Sequence, residues 1–183
     1  MQRFLARAAS LAVLTCLAAC TASPYYDHRF QPAPYEVQVA SDAVPGSQMR
    51  ALASVLGIER AKDGVPDRAI VRIRLENLGS VPATFETDSL GLVSADLQSF
   101  GTPTVLGEAN PALQPGNSGV YDVAFPLPAG KRPRDVDLSG LNLRFTVAYG
   151  AHKVTAGASF ARSDWQYDEY PRVQVGFGVG LHN

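Results

Sequence analysis

The residue types that do chemistry are few and scattered in this 183-residue chain. Its histidines are His28, His152 and His182. No two stand at ligand spacing and neither cysteine lies beside one, so no zinc site is expected. Asp135 and Asp137 stand two apart in the run Arg134-Asp135-Val136-Asp137. In a strand both carboxylates share one face, where they either chelate a cation or repel each other. Arg132 and Arg134 stand beside them, and local charge neutralisation is the simpler account. An Asp-x-Asp-x-Asp-Gly loop is absent, which excludes an EF-hand. Arg134, Asp135 and Asp137 are the candidate ligand contacts. Gly-x-Ser-x-Gly and Ser-x-x-Lys are both absent. Gly176, Gly178 and Gly180 have part of the spacing of a dinucleotide loop. They lack the helix and the later acid that such a loop needs. No catalytic residue, metal or cofactor is expected, and the chain is not expected to be an enzyme.

Arginine outnumbers lysine 13 to 3. Arg72 and Arg74 project from one strand face, and Lys131-Arg132-Pro133-Arg134 forms a small basic turn. Either suits bidentate contacts to lipid phosphates or acidic polysaccharide. A solvated face paired with nearby acids is the plainer expectation. The formal charge of −1 excludes a broadly basic nucleic-acid binder.

One residue does stand in a chemically pointed setting. Arg3 and Arg7 are the only charges before Asp27, and a short uncharged, mostly apolar stretch follows them. That is the layout of a secretory signal. It is short of the roughly 20 apolar residues that span a membrane. At its end stand Leu17, Ala18, Ala19 and Cys20, which resemble the bacterial lipobox. The resemblance implies that the Cys20 thiol takes a diacylglyceryl group and that the bond before it is cut. The new amino terminus would then be acylated. A thiolate is the best nucleophile available for the thioether. Several acyl chains matter because one alone holds a membrane only marginally. Cys16, after Leu14 and Thr15, does not fit the pattern and would leave with residues 1–19.

The 164 residues that remain would carry 14 basic and 17 acidic side chains, a charge of −3. Their only cysteine would be the lipidated one, so the core alone must hold the domain. A chain of this size can bury about 68–70% of its surface. Thr21 is not the aspartate that retains lipoproteins in the inner membrane, so the expected place is the outer membrane, facing the periplasm.

Residues 20–36 hold three prolines and no apolar period, which reads as a lipidated cysteine and an extended tether. Its Tyr25, Tyr26, Phe30 and Tyr35 either meet lipid or a partner, or pack back on the domain. Residues 37–162 read as β. Val71, Ile73 and Leu75 alternate with Arg72, Arg74 and Glu76, a period of two with one buried face. The same period sets Tyr121, Val123 and Phe125 inward, and then Leu141, Leu143, Phe145, Val147 and Tyr149. Residues 50–60 fit a helix or a strand, and the strands that follow favour a strand. Residues 81–86 and 90–93 read as two short strands. Turn signals such as Asp63-Gly64, Pro115-Gly116 and Ser139-Gly140 separate seven to nine strands in all. This predicts an all-β, immunoglobulin-like antiparallel β-sandwich. Residues 163–183 are an aromatic and Gly-rich tail, expected to fold back or stay loose, with strand addition to a partner as the other outcome.

Residues 71–86 and 89–96, with the turn Gln114-Pro115-Gly116 before a long strand, resemble small bacterial envelope lipoproteins that carry an immunoglobulin-like sandwich. The resemblance covers about residues 65–162. It implies a lipid-anchored envelope protein with structural or binding work and brings no catalytic residues with it. The expected partners are the membrane, through Cys20, and a further envelope protein. The alternative is an envelope module that binds a cell-wall fragment or an ion.

Overall fold

A computed structural model describes residues 23–107 and 110–163. These residues form no α-helix; they form two five-stranded antiparallel sheets packed as a sandwich. The strands are β1 (Arg29–Gln31), β2 (Tyr35–Val39), β3 (Met49–Glu59), β4 (Arg68–Asn77), β5 (Ala83–Ser94), β6 (Thr104–Leu106), β7 (Ala112–Leu113), β8 (Ser118–Pro126), β9 (Gly140–Tyr149) and β10 (His152–Ser163). The first sheet runs β2-β3-β4-β8-β6 and the second β1-β10-β9-β5-β7.

Alternation decides the core. Along β4, Val71, Ile73 and Leu75 are buried while Arg72 and Arg74 are exposed. Along β8, Tyr121, Val123 and Phe125 point inward, and β9 meets them with Leu141, Leu143, Phe145, Val147 and Tyr149. The Phe85 ring lies 4.6 Å from Tyr121 and 6.4 Å from Phe145, so aromatics fill the space between the layers. Of residues 50–60, all but Arg60 are strand, as their neighbours indicated. β3 pairs with β4 from Met49↔Asn77 to Glu59↔Arg68, with a bulge between Val55 and Gly57. Gly57 sits at φ +146°, and a Cβ there would come 3.1 Å from the Tyr25 ring. Only glycine suits that position.

Three buried polar side chains join elements across the fold. Asn77, 1% exposed, donates from Nδ2 to the carbonyls of Val81 (2.8 Å) and Leu113 (2.9 Å). Its Oδ1 accepts from the Gly79 amide at 3.1 Å. The Tyr121 hydroxyl donates to the Asn110 carbonyl at 2.7 Å. The Tyr149 hydroxyl donates to the Val39 carbonyl at 2.8 Å and so bridges the two sheets. Among the described residues no buried side-chain polar atom lacks a partner, as a packed interior requires.

Three expectations change in detail. Among the described residues the strands number ten, because the short β1, β6 and β7 carry no period long enough to read. Residues 81–86 and 90–93 belong to one strand, β5, whose pairing with β9 breaks between Glu86 and Gly91 and resumes. The described part of the stretch read as a tether packs on the sandwich. The Tyr26 amide donates to the Ile58 carbonyl at 2.8 Å, and Phe30, 3% exposed, sits in the core. β1 pairs with β10, and β2 with β3. Three prolines suppress a regular ladder, but the aromatic side chains beside them supply enough apolar area to dock the segment. Residues 1–22 and 164–183, which include the lipobox and the expected tail, lie outside the described residues.

Candidate functional site

The antiparallel order brings the chain in and out at one end of the sandwich. Arg29, the first residue of β1, pairs with Ser163, the last of β10. β9 starts beside them, with Gly140 opposite Ala161. The connection from β8 to β9, residues 127–139, therefore closes the same end. So does the connection from β3 to β4, residues 60–67, since Leu127 donates its amide to the Asp67 carbonyl at 2.9 Å.

A cleft of about 710 Å³ opens between these segments. Tyr26 and His28 form one wall. Residues 132–134 and 136–139 form the other, and Arg162 closes it from β10. Val136 and Leu138 are buried and give the basic segment a fixed floor. The Arg162 amide donates to the Ser139 carbonyl at 2.8 Å, which ties that segment to the sheet. Tyr26 is held on the other side. Its hydroxyl donates to Asp67 Oδ1 at 3.1 Å, and the Arg60 guanidinium lies 4.4 Å from its ring centre. Burial and then the Asp67 hydrogen bond raise the phenol above its ordinary value. The His28 ring lies 6.1 Å from it, 17° from parallel.

Of the candidate contacts, Arg134 and Asp137 both line this cleft. They are not arranged as a strand. Pro133–Asp135 is a single 3-10 turn, so the two carboxylates do not share a strand face. The proline at its start favours the turn over an extended run. Asp135 Oδ2 accepts from the Arg132 amide at 3.0 Å and closes the turn. Its Oδ1 is 3.8 Å from Arg134 Nε, a loose pair in which Arg134 remains 77% exposed. Asp137 turns back to its own chain, where Oδ1 accepts from the Ser139 amide at 2.9 Å. The hydrogen bonds from Ser139 hold the Asp137 carboxyl below the ordinary range. Both acids thus shape the loop. Among the described residues no group of three or more His, Cys, Asp or Glu side chains is placed to hold a metal ion. Among the described residues the cleft is lined by Arg132, Arg134 and Arg162 and by one carboxylate, that of Asp137. The exposed guanidinium groups of Arg132 and Arg134 suit an anion.

The other basic face is neutralised. Arg72 makes two 2.8 Å bonds to the carboxylate of Asp122. Arg74 meets Glu76 at 2.9 Å, and Arg50 meets the same Glu76 through Nε at 2.8 Å. The Arg72 hydrogen bond lowers Asp122, and the Arg50 hydrogen bond lowers Glu76.

Sequence reasoning missed Tyr26, His28 and Arg162 as parts of the cleft. The first two fell in the stretch read as a tether. Arg162 fell at the boundary of the tail. The one available signal was the density of tyrosine beside Pro24, which marks a segment able to dock. Cys20, Leu17, Ala18 and Ala19 lie outside the described residues. No family model matches the sequence, and no curated protein matches it. Among solved structures, the X-ray structure of Northeast Structural Genomics Consortium target SoR45 is similar at 14% identity, covering 85% of this chain and 96% of that one, with a TM-score of 0.33.

Proposed function

We propose that this chain is a membrane-anchored bacterial envelope lipoprotein with a non-enzymatic structural or protein-interaction role. The acylated Cys20 tethers the sandwich to the outer membrane on its periplasmic side. The observation that carries this reading is the run Leu17-Ala18-Ala19-Cys20, placed directly after a positive start and a short apolar stretch. The fold supports it in one respect: Tyr25 already pairs with Glu59, only five residues after Cys20. An anchor at Cys20 would hold the domain close to the bilayer and raise its effective concentration for other envelope components.

Membrane fractionation of the native bacterium tests the anchor. The wild-type chain is expected in the membrane fraction, released by detergent and not by high salt. Cys20→Ala is expected in the soluble fraction or uncleaved. Equal release of both proteins by salt would contradict the anchor.

The cleft favours a second reading, a module that binds a small envelope ligand such as a cell-wall fragment. Its charge suits an anionic ligand better than a metal ion. A rise in melting temperature with anionic muropeptides, and none with calcium, is the expected sign, because a ligand bound only by the folded state stabilises it. No shift with any muropeptide would count against this reading.

A further inference from the structure

The basic residues of the connecting segments are not spread over the molecule. Among the described residues, Arg60, Lys62, Lys131, Arg132 and Arg134 are the lysines and arginines that lie between strands, and all five fall in residues 60–67 and 127–139. Both segments close the end at which β1 begins and β10 ends. The opposite end is closed by residues 40–48, 78–82 and 150–151, none of which holds a lysine or arginine.

Asp27, Asp63 and Asp96 stand exposed at the same end, while three other acids there are engaged by the fold. Asp67 accepts from the Tyr26 hydroxyl and from the Ala61 amide at 2.8 Å. Asp135 and Asp137 accept from backbone amides of their own loop. Arg132 and Arg134 have exposed side chains at the mouth of the cleft, with Asp135 3.8 Å from Arg134. Tyr26, in the cleft wall, follows Cys20 by six residues, which is at most about 20 Å of extended chain.

From this polarity we infer that the cleft end is the face the domain turns to the bilayer. There Arg132 and Arg134 take the phosphodiester groups of anionic glycerophospholipids. The inference rests on the lipid anchor proposed above. Guanidinium and phosphodiester match as bidentate donor and acceptor. Each basic residue near an anionic surface adds about 1 kcal/mol of attraction, a factor of about five, and the attraction fades within a Debye length of about 8 Å. An anchor this close keeps the arginines inside that range, so two of them suffice to orient the domain.

The test uses the purified acylated protein in vesicles of phosphatidylcholine, with and without phosphatidylglycerol. Mass spectrometry of the amino-terminal peptide is run first. An environment-sensitive fluorophore is placed at Ser139→Cys, on the cleft, or at Ala151→Cys, at the opposite end, and lipid-borne quenchers report contact. The Ser139 probe is expected to be quenched in anionic vesicles and the Ala151 probe not. Arg132→Ala with Arg134→Ala is expected to lower the ratio of docked to undocked protein about 25-fold, with an unchanged melting temperature. Equal quenching of the two probes would overturn the inference. So would quenching at Ser139 that ignores phosphatidylglycerol. A Ser139 response to inorganic phosphate as large as that to anionic vesicles would reassign the cleft to a soluble phosphate. If the peptide carries no acyl groups, the anchor fails by itself. Co-sedimentation with the two vesicle types then scores the arginines: loss of anionic preference in the double variant supports their role, and no preference in the wild type overturns it.

Discussion

At the residue scale, a few buried polar side chains hold separate elements together. Asn77 is buried and spends its amide on Val81, Leu113 and Gly79. Asn77→Ala removes the side-chain donor to the Val81 and Leu113 carbonyls, while the Gly79 amide keeps its bond to the Gln48 carbonyl. It should cost about 2–3 kcal/mol, read as a lower urea midpoint with an unchanged slope. Tyr149→Phe removes only the hydroxyl that reaches Val39. About 1 kcal/mol is expected there, with the aromatic packing kept. The Arg72–Asp122 pair sets a pH dependence. Arg72 lowers the folded carboxyl of Asp122 below its unfolded value of about 3.9. A group lowered on folding stabilises the protein above its unfolded value and loses that contribution as pH falls through the folded one. The wild type should therefore lose stability below about pH 4, and Asp122→Asn should lose less over the same interval. Urea midpoints at pH 7 and pH 3 make the comparison. An equal drop in both proteins would contradict the assignment.

At the scale of elements, the instructive segment is the one around β1. It holds three prolines in the stretch from Pro24 to Pro34, yet Phe30 is buried between the sheets and β1 pairs with β10. Phe30→Ala should cost about 3–5 kcal/mol if this segment belongs to the folded core. A cost near zero would mean that it does not. This is also where the sequence was hardest to read. β4, β8 and β9 were legible because each carries a two-residue apolar period over part of its length, Val71 to Leu75, Tyr121 to Phe125 and Leu141 to Tyr149. β1 is three residues long and β7 two, too short for any period to show. Their pairing is long-range, Arg29 with Ser163, and no local pattern reports it. The candidate site was legible in part for the same reason. Arg134 and Asp137 were visible as a charged run. Their 3-10 turn, and the wall formed by Tyr26 and His28, depend on tertiary contacts.

At the scale of the whole molecule, topology places the first described residues, the basic connections and the cleft at one end. A sandwich of this kind has two ends and no intrinsic reason to prefer either. The asymmetry of charge and the position of Tyr26 close behind Cys20 give it one. With the anchor proposed at Cys20, the chain up to Tyr26 is short, and the domain is expected to sit low on the membrane rather than reach far from it. The anchor at Cys20 is tested by the intact mass of the protein extracted from the membranes of its own bacterium. The account predicts the mass of residues 20–183 plus a diacylglyceryl group and a further acyl chain on Cys20. A chain that retains residues 1–19, or one cut near Cys20 with the thiol unmodified, would contradict it.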